Sequence, residues 1–227
     1  MEGCADVCGE GVAMAISTHL ISTGLSRLPK ALVSGALQGS IMVPVAVALI
    51  QHPTYGNILF DTGYSETFYT VTKAFPEKLI NNLSATQLAA AGSAADQLPG
   101  FGLAPDEIDY IVLSHFHYDH VAGISDFPKA RFIFLAEAYN HFASMGYMRR
   151  LSSGFIQELI PGDFFERSLV IDETLKINSP FAIFPEVYPV FEDGSIIAIP
   201  LPGHAPGHIR LYFDVPAGAE FFVGDAC

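Results

Sequence analysis

Residues 114–120 read Ser114-His115-Phe116-His117-Tyr118-Asp119-His120, and they follow the short apolar run Tyr110-Ile111-Val112-Leu113. Three imidazoles and a carboxylate within six positions form a denser ligand set than an ordinary polar loop carries. Residues two apart on an extended chain project to the same side, so His115 and His117 can share one metal ion. Asp119 and His120 come where the chain must leave its strand, and a turn there aims them at a second position nearby. Imidazole and carboxylate together suit Zn2+ and are acceptable to Fe2+ or Mn2+.

Three further segments gain meaning beside this one. Pro202-Gly203-His204-Ala205-Pro206-Gly207-His208 again follows an apolar run, and its Gly and Pro residues make a tight turn where backbone can approach a ligand. A turn histidine alone is more often a hydrogen-bonding or surface residue, but after the first cluster it is a good source of another ligand. Val223-Gly224-Asp225 ends a short apolar strand in a carboxylate, the kind of group that bridges two metals. Asp61, in Phe60-Asp61-Thr62-Gly63, also ends an apolar strand. It has two open roles, accepting a proton from a ligand histidine or capping a turn.

Hydrophobic periodicity supplies the frame. Strands are expected at 42–50 and 57–61, with a hairpin turn through His52, Pro53, Tyr55 and Gly56 between them. Residues 68–97 carry Leu and Ala at helical spacing and read as one or two helices. A strand at 110–114 precedes the histidine motif. Another follows at 131–135, then a helix at 136–145. Residues 146–180 are mixed in pattern and suit an insertion over a site. Strands return at 184–191, 196–201, 208–213 and 220–223. Strands, then helix, then strands again indicate one α/β domain of two sheets with helices outside, spanning 1–227, rather than a doubly wound fold. Residues 1–10 are expected to be disordered.

The composition narrows the function. Half of the 227 residues are hydrophobic, with 18 Phe and 9 Tyr, ample for a core. The formal net charge is -13, and no basic cluster exceeds Arg149–Arg150, which counts against a nucleic-acid partner. A small or weakly charged substrate fits this field better. Cys4, Cys8 and Cys227 read as three free thiols of a reducing compartment. The N-terminus lacks a signal peptide's basic segment, and the apolar run at 42–50 is too short to span a bilayer. A cytoplasmic protein with no membrane partner is expected.

Taken in order, Asp61-Thr62-Gly63, His115-x-His117-x-Asp119-His120, Gly203-His204-x-Pro206-Gly207-His208 and Gly224-Asp225 resemble the metallo-β-lactamase superfamily, and within it the N-acyl-homoserine lactonase and glyoxalase II-like hydrolases. The resemblance runs from about residue 40 to the end of the chain. It implies an αββα four-layer sandwich with two zinc ions at one edge of the sheets. His115, His117 and His204 would bind the first ion, Asp119 and His120 the second, and Asp225 would bridge; His208 would be structural. It also implies a later metal-binding His and further strand and helix. From these, a C-terminally incomplete chain is expected, with a weak second metal site and apolar surface near Phe213 and Phe221–Phe222 that could support a homodimer.

The chemistry implied is hydrolysis of a lactone or ester. Two cations lower the pKa of a shared water, and Asp119 orients the nucleophile and passes a proton to the leaving group. Tyr118 and the run Asp193-Gly194-Ser195 point to the lactonase branch, and apolar residues around 145–165 could line an acyl pocket or be ordinary core. The rivals are a glyoxalase II-like thioesterase, an iron-dependent sulfur dioxygenase, and a metal-binding protein without turnover.

Overall fold

The computed structural model describes residues 15–30, 38–179, 181–201 and 203–225. Cys4, Cys8 and Cys227, and the expected disorder of residues 1–10, lie outside them. Among the described residues, twelve strands form two sheets. The larger has the order β4-β1-β2-β3-β5-β6-β7, built from β1 (Ser17–Pro29), β2 (Ser40–His52), β3 (Gly56–Phe60), β4 (Gln87–Leu88), β5 (Ile108–Val112), β6 (Arg131–Leu135) and β7 (Ser168–Ile171). The smaller runs β12-β11-β10-β9-β8, from β8 (Ile177–Asn178), β9 (Glu186–Pro189), β10 (Ile196–Pro200), β11 (Ile209–Val215) and β12 (Gly218–Phe222). β1, β2 and β3 pair antiparallel, whereas β3, β5, β6 and β7 are parallel neighbours.

The period of two along a strand explains why the larger sheet is the middle of the molecule. Leu59, Ile111, Leu113, Phe132 and Phe134 face one way and join Phe68, Leu98, Phe142 and Leu151 from the helical segments in one core. The residues between them, Ile58, Phe60, Val112, Ile133 and Leu135, face the other way and meet Ile196, Ala198, Ile209, Leu211 and Phe213 of the smaller sheet. This is the two-sheet α/β sandwich that the pattern predicts. Among the described residues no helix is long and apolar enough to cross a membrane.

Several expectations need correction. Residues 68–97 form three short helices, Glu66–Val71, Lys78–Ser84 and Ala94–Gln97, with the two-residue β4 between the last two. The second ends where Ala85 turns left-handed at φ 42°, and Gln87 and Leu88 then pair with β1 instead of continuing the helix. β1 has no counterpart in the periodicity reading, because its inward positions include Thr23, Gly24 and Ser26 while Leu20 and Leu25 point outward. Of the two roles open to the apolar residues around 145–165, Met145, Leu151, Phe155, Ile156, Leu159 and Phe164 take the core one, whereas Tyr147, Met148 and Phe165 are exposed. Phe213 is buried between the sheets, and of the aromatics named as exposed edge only Phe221 is substantially exposed. Asp193-Gly194-Ser195, without losing its likeness to the lactonase branch, forms the turn between β9 and β10: Asp193 accepts from the Ser195 backbone and hydroxyl, and Ser195 Oγ lies 3.0 Å from His52 Nε2.

Candidate metal centre

Four strand ends meet at one edge of the sandwich. β3 and β5 are parallel neighbours, so the segments leaving them, Asp61-Thr62 and the histidine motif, lie side by side. The Asp61 N–H donates to Val112 O at 2.9 Å, and the Thr62 N–H and hydroxyl both donate to His120 O, at 2.9 and 2.8 Å. The second sheet brings His204 from the loop between β10 and β11, and Asp225 from just past β12. A backbone bond from Ile209 N–H to Ser114 O, 3.0 Å, ties the sheets together there.

The nitrogens converge. His117 Nδ1 lies 2.9 Å from His115 Nε2 and 2.9 Å from His204 Nε2. Three ring nitrogens this close together could serve as the donor set of a cation, since a neutral imidazole nitrogen either donates once or accepts once. A second grouping joins His115, His120 and Asp225, and within each grouping the ligand atoms lie within 4.8 Å of one another. Asp225 faces both groupings: Oδ1 is 3.3 Å from His120 Nε2 and Oδ2 is 3.4 Å from His204 Nε2. Asp119 stands further out, with Oδ2 4.0 Å from His120 Nε2. It lies in the one-turn helix Tyr118–Val121, which is the turn away from the strand that the sequence requires.

Hydrogen bonding selects the tautomers. Asp61 accepts from Ser114 N–H at 2.7 Å and from Ser114 Oγ at 2.8 Å, and its Oδ2 lies 2.8 Å from His120 Nδ1. Ser114 Oγ is also 2.9 Å from His115 Nδ1. With its proton given to Asp61, the Ser114 oxygen accepts from His115 Nδ1–H, and Asp61 accepts from His120 Nδ1–H. His115 then presents a bare Nε2 to the site, and His120 does so once its Nε2 proton, which faces Asp225, is lost. Of the two roles open to Asp61, the geometry realises the acceptor beneath a histidine, and Asp61 adopts φ 64°, rare for a residue with a Cβ, in doing so. The Ser114 hub has no signal in the sequence beyond its place before His115. Gly154 is a second missed residue: its carbonyl accepts from Tyr118 N–H at 2.9 Å, and a Cβ there would sit 3.1 Å from His117 Cδ2.

The electrostatics fit a site for cations. Burial, reinforced by neighbouring imidazoles, pushes His115 well below the usual histidine range and His117 down to about 3, so both are neutral donors. Burial pushes His120 the same way, but Asp61, Asp119 and Asp225 outweigh it and raise His120 well above the usual value. Burial opposes ionisation of Asp225, yet its hydrogen bond and charge interaction with His120 hold it below the carboxylate range. In the protein without metal, a proton on His120 thus does part of a cation's work. Next to the centre a cleft of about 170 Å³ runs from Asp119, His120 and Asp225 to Leu20, Val43 and Val45 on the β1–β2 hairpin.

Comparison with known proteins agrees with the geometry. The N-acyl homoserine lactonase AttM of Agrobacterium fabrum is 28% identical over 180 residues, 77% of this chain and 61% of that protein. AttM of Rhizobium radiobacter is 32% identical over 127 residues, 53% of this chain and 41% of the relative. The chain thus spans about two fifths to three fifths of these relatives. Among solved structures, an N-acyl homoserine lactone hydrolase with N-hexanoyl-L-homoserine bound at its catalytic metal centre superposes with a TM-score of 0.69 at 22% identity, covering 90% of this chain and 73% of that one. The dizinc quorum-quenching lactonase AidC gives 0.60 at 16% identity, covering 91% and 70%. Residues 42–226 match the metallo-beta-lactamase superfamily, and the chain belongs to that family.

Proposed function

We propose that this chain carries the catalytic core of a zinc-dependent hydrolase that opens lactones, with two cations per site. The observation that carries the reading is the convergence of His115, His117 and His204 beside a carboxylate, Asp225, whose two oxygens face one histidine of each grouping. His115, His117 and His204 would hold the first cation, Asp119 and His120 the second, with Asp225 between. Imidazole and carboxylate donors suit zinc, and iron or manganese can replace it. The lactonase relatives support the substrate class. Three cysteines in 227 residues fit a reducing compartment, and the cytoplasm is the proposed location.

Divalent cations at these positions supply Lewis acidity that polarises a carbonyl and acidifies water. The chain's own groups do the rest. Asp119 takes the proton released as water attacks the lactone carbonyl carbon. It returns that proton to the ring oxygen as the C–O bond breaks, leaving a hydroxy acid. Ser114 and Asp61 hold the His115 and His120 rings in the ligating tautomer. The cleft toward Leu20, Val43 and Val45 gives an apolar substituent a place beside the reacting carbonyl.

The test compares kcat/KM for an N-acyl homoserine lactone, a thioester such as S-lactoylglutathione and a β-lactam, with zinc and after chelation, while oxygen is monitored. Lactone turnover that is highest of the three and abolished by the chelator is expected. A clear preference for the thioester, or oxygen uptake with an iron-loaded sample, would replace this reading by one of its rivals.

A further inference from the structure

Beyond the candidate ligands, another imidazole is built into the centre. His208 opens the segment leading into β11 and is only 1% exposed, and among the described residues neither of its ring nitrogens has a hydrogen-bond partner. Burying an unpaired polar ring costs stability, and an apolar side chain would fill the space without that cost. The backbone holds the ring in place: Leu201 N–H donates to His208 O at 2.8 Å, His208 N–H to Ala205 O at 3.2 Å, and the next residue, Ile209, donates to Ser114 O. The ring packs against that of His115, with centroids 4.9 Å apart. Its Nε2 faces Gly224, where an added Cβ would lie 2.9 Å from that nitrogen and 3.4 Å from Ser114 Cβ. Gly224 has φ 56° and carries Asp225 directly after it. His208 is thus wedged beneath the turn that presents the Asp225 carboxylate, whose oxygens face His120 and His204, yet it belongs to neither grouping itself.

We propose that His208 is a positioning residue whose Nε2 holds the Gly224–Asp225 turn in place when cations draw the Asp225 carboxylate in. The inference rests on the metal-site reading above but not on the substrate. The unpaired nitrogens are the cost of a contact made in the loaded state, as with other groups that hold metal ligands from behind.

The experiment titrates zinc into wild type, His208→Leu, His208→Phe and His208→Gln against a chromophoric chelator, and records thermal melting of each protein freed of metal. The apolar variants are expected to melt, without metal, no lower than wild type. Their weaker zinc should bind about tenfold or more less tightly, while the stronger zinc changes little. His208→Gln, which keeps a hydrogen-bonding group, is expected to recover part of the loss. Unchanged zinc affinities with lowered melting would make His208 a packing residue and overturn the inference alone. So would failure of both apolar variants to fold. A wild type that binds no zinc would overturn the metal-site reading together with it.

Discussion

Burial raises the proton affinity of Asp119, and the nearby Asp225 charge adds to it while His120 works against both. A carboxyl that holds its proton more tightly than usual is a better carrier between an attacking water and a departing alkoxide. Asp119→Asn keeps the shape and removes the proton-carrying function. Turnover of the zinc-loaded protein is expected to fall about a hundredfold or more, the scale of a general acid or base, with KM changed far less. Bound zinc measured in parallel separates loss of a ligand from loss of a proton carrier, and unchanged kcat would exclude the role. The ligand candidates were legible in the chain because their chemistry is written in their own side chains and in short spacings. Ser114 was not, because what it does depends on a partner dozens of residues away in sequence, Asp61.

At the scale of elements, the site depends on how loops seat against helices. The loop carrying His204 rests on the start of the helix Ala136–Ala143. Gly207 there has φ 65°, and a Cβ would lie 2.3 Å from Ala138 N, a backbone atom that cannot swing aside. Gly207→Ala combines left-handed strain with that overlap, so it should destabilise by more than the roughly 1 kcal/mol of the backbone effect alone. It should also weaken zinc binding by displacing His204. Urea denaturation together with zinc titration checks both, and a variant as stable as wild type would show that the loop rides free of the helix. Strands with alternating or wholly apolar runs, such as Arg131–Leu135 and Ile196–Pro200, were readable because burial on known faces leaves that pattern. β1 was not, since its pairing with β2 buries Thr23 and Ser26, and the Thr23 hydroxyl both donates to Val45 O and accepts from Tyr64 N–H.

Across the whole molecule, the neutral buried imidazoles set the response to acid. Burial lowers His117 to about 3 and His208 to about 4, whereas a histidine of the unfolded chain titrates near 6.5. Between those limits the unfolded chain binds more protons than the folded one, so folding stability falls as pH drops. Asp225, held below its ordinary value, acts in the same direction at lower pH. His120 acts oppositely: with its value raised, its contribution is complete below about 6.5 and fades as pH rises through the folded value. Asp119 and Asp126, whose carboxyls burial raises, the latter to about 6, also oppose the imidazoles in this window. The lowered His52, His115, His117 and His208 together outweigh them, so protein stripped of metal should show a urea midpoint that declines from about pH 6.5 toward pH 4. A midpoint that is flat or rises over that range would contradict the neutral, buried state of these rings.

The bond from Ile209 N–H to Ser114 O has a consequence for motion. It joins the two layers between the residue that precedes His115 and the residue that follows His208. The joint of the sandwich and the mouth of the site are therefore the same place. When the layers slide or part, the distances among His115, His204 and Asp225 must change with them, because those side chains ride on opposite layers. Any slide of one layer past the other would thus register as a change in the spacing of the candidate ligands.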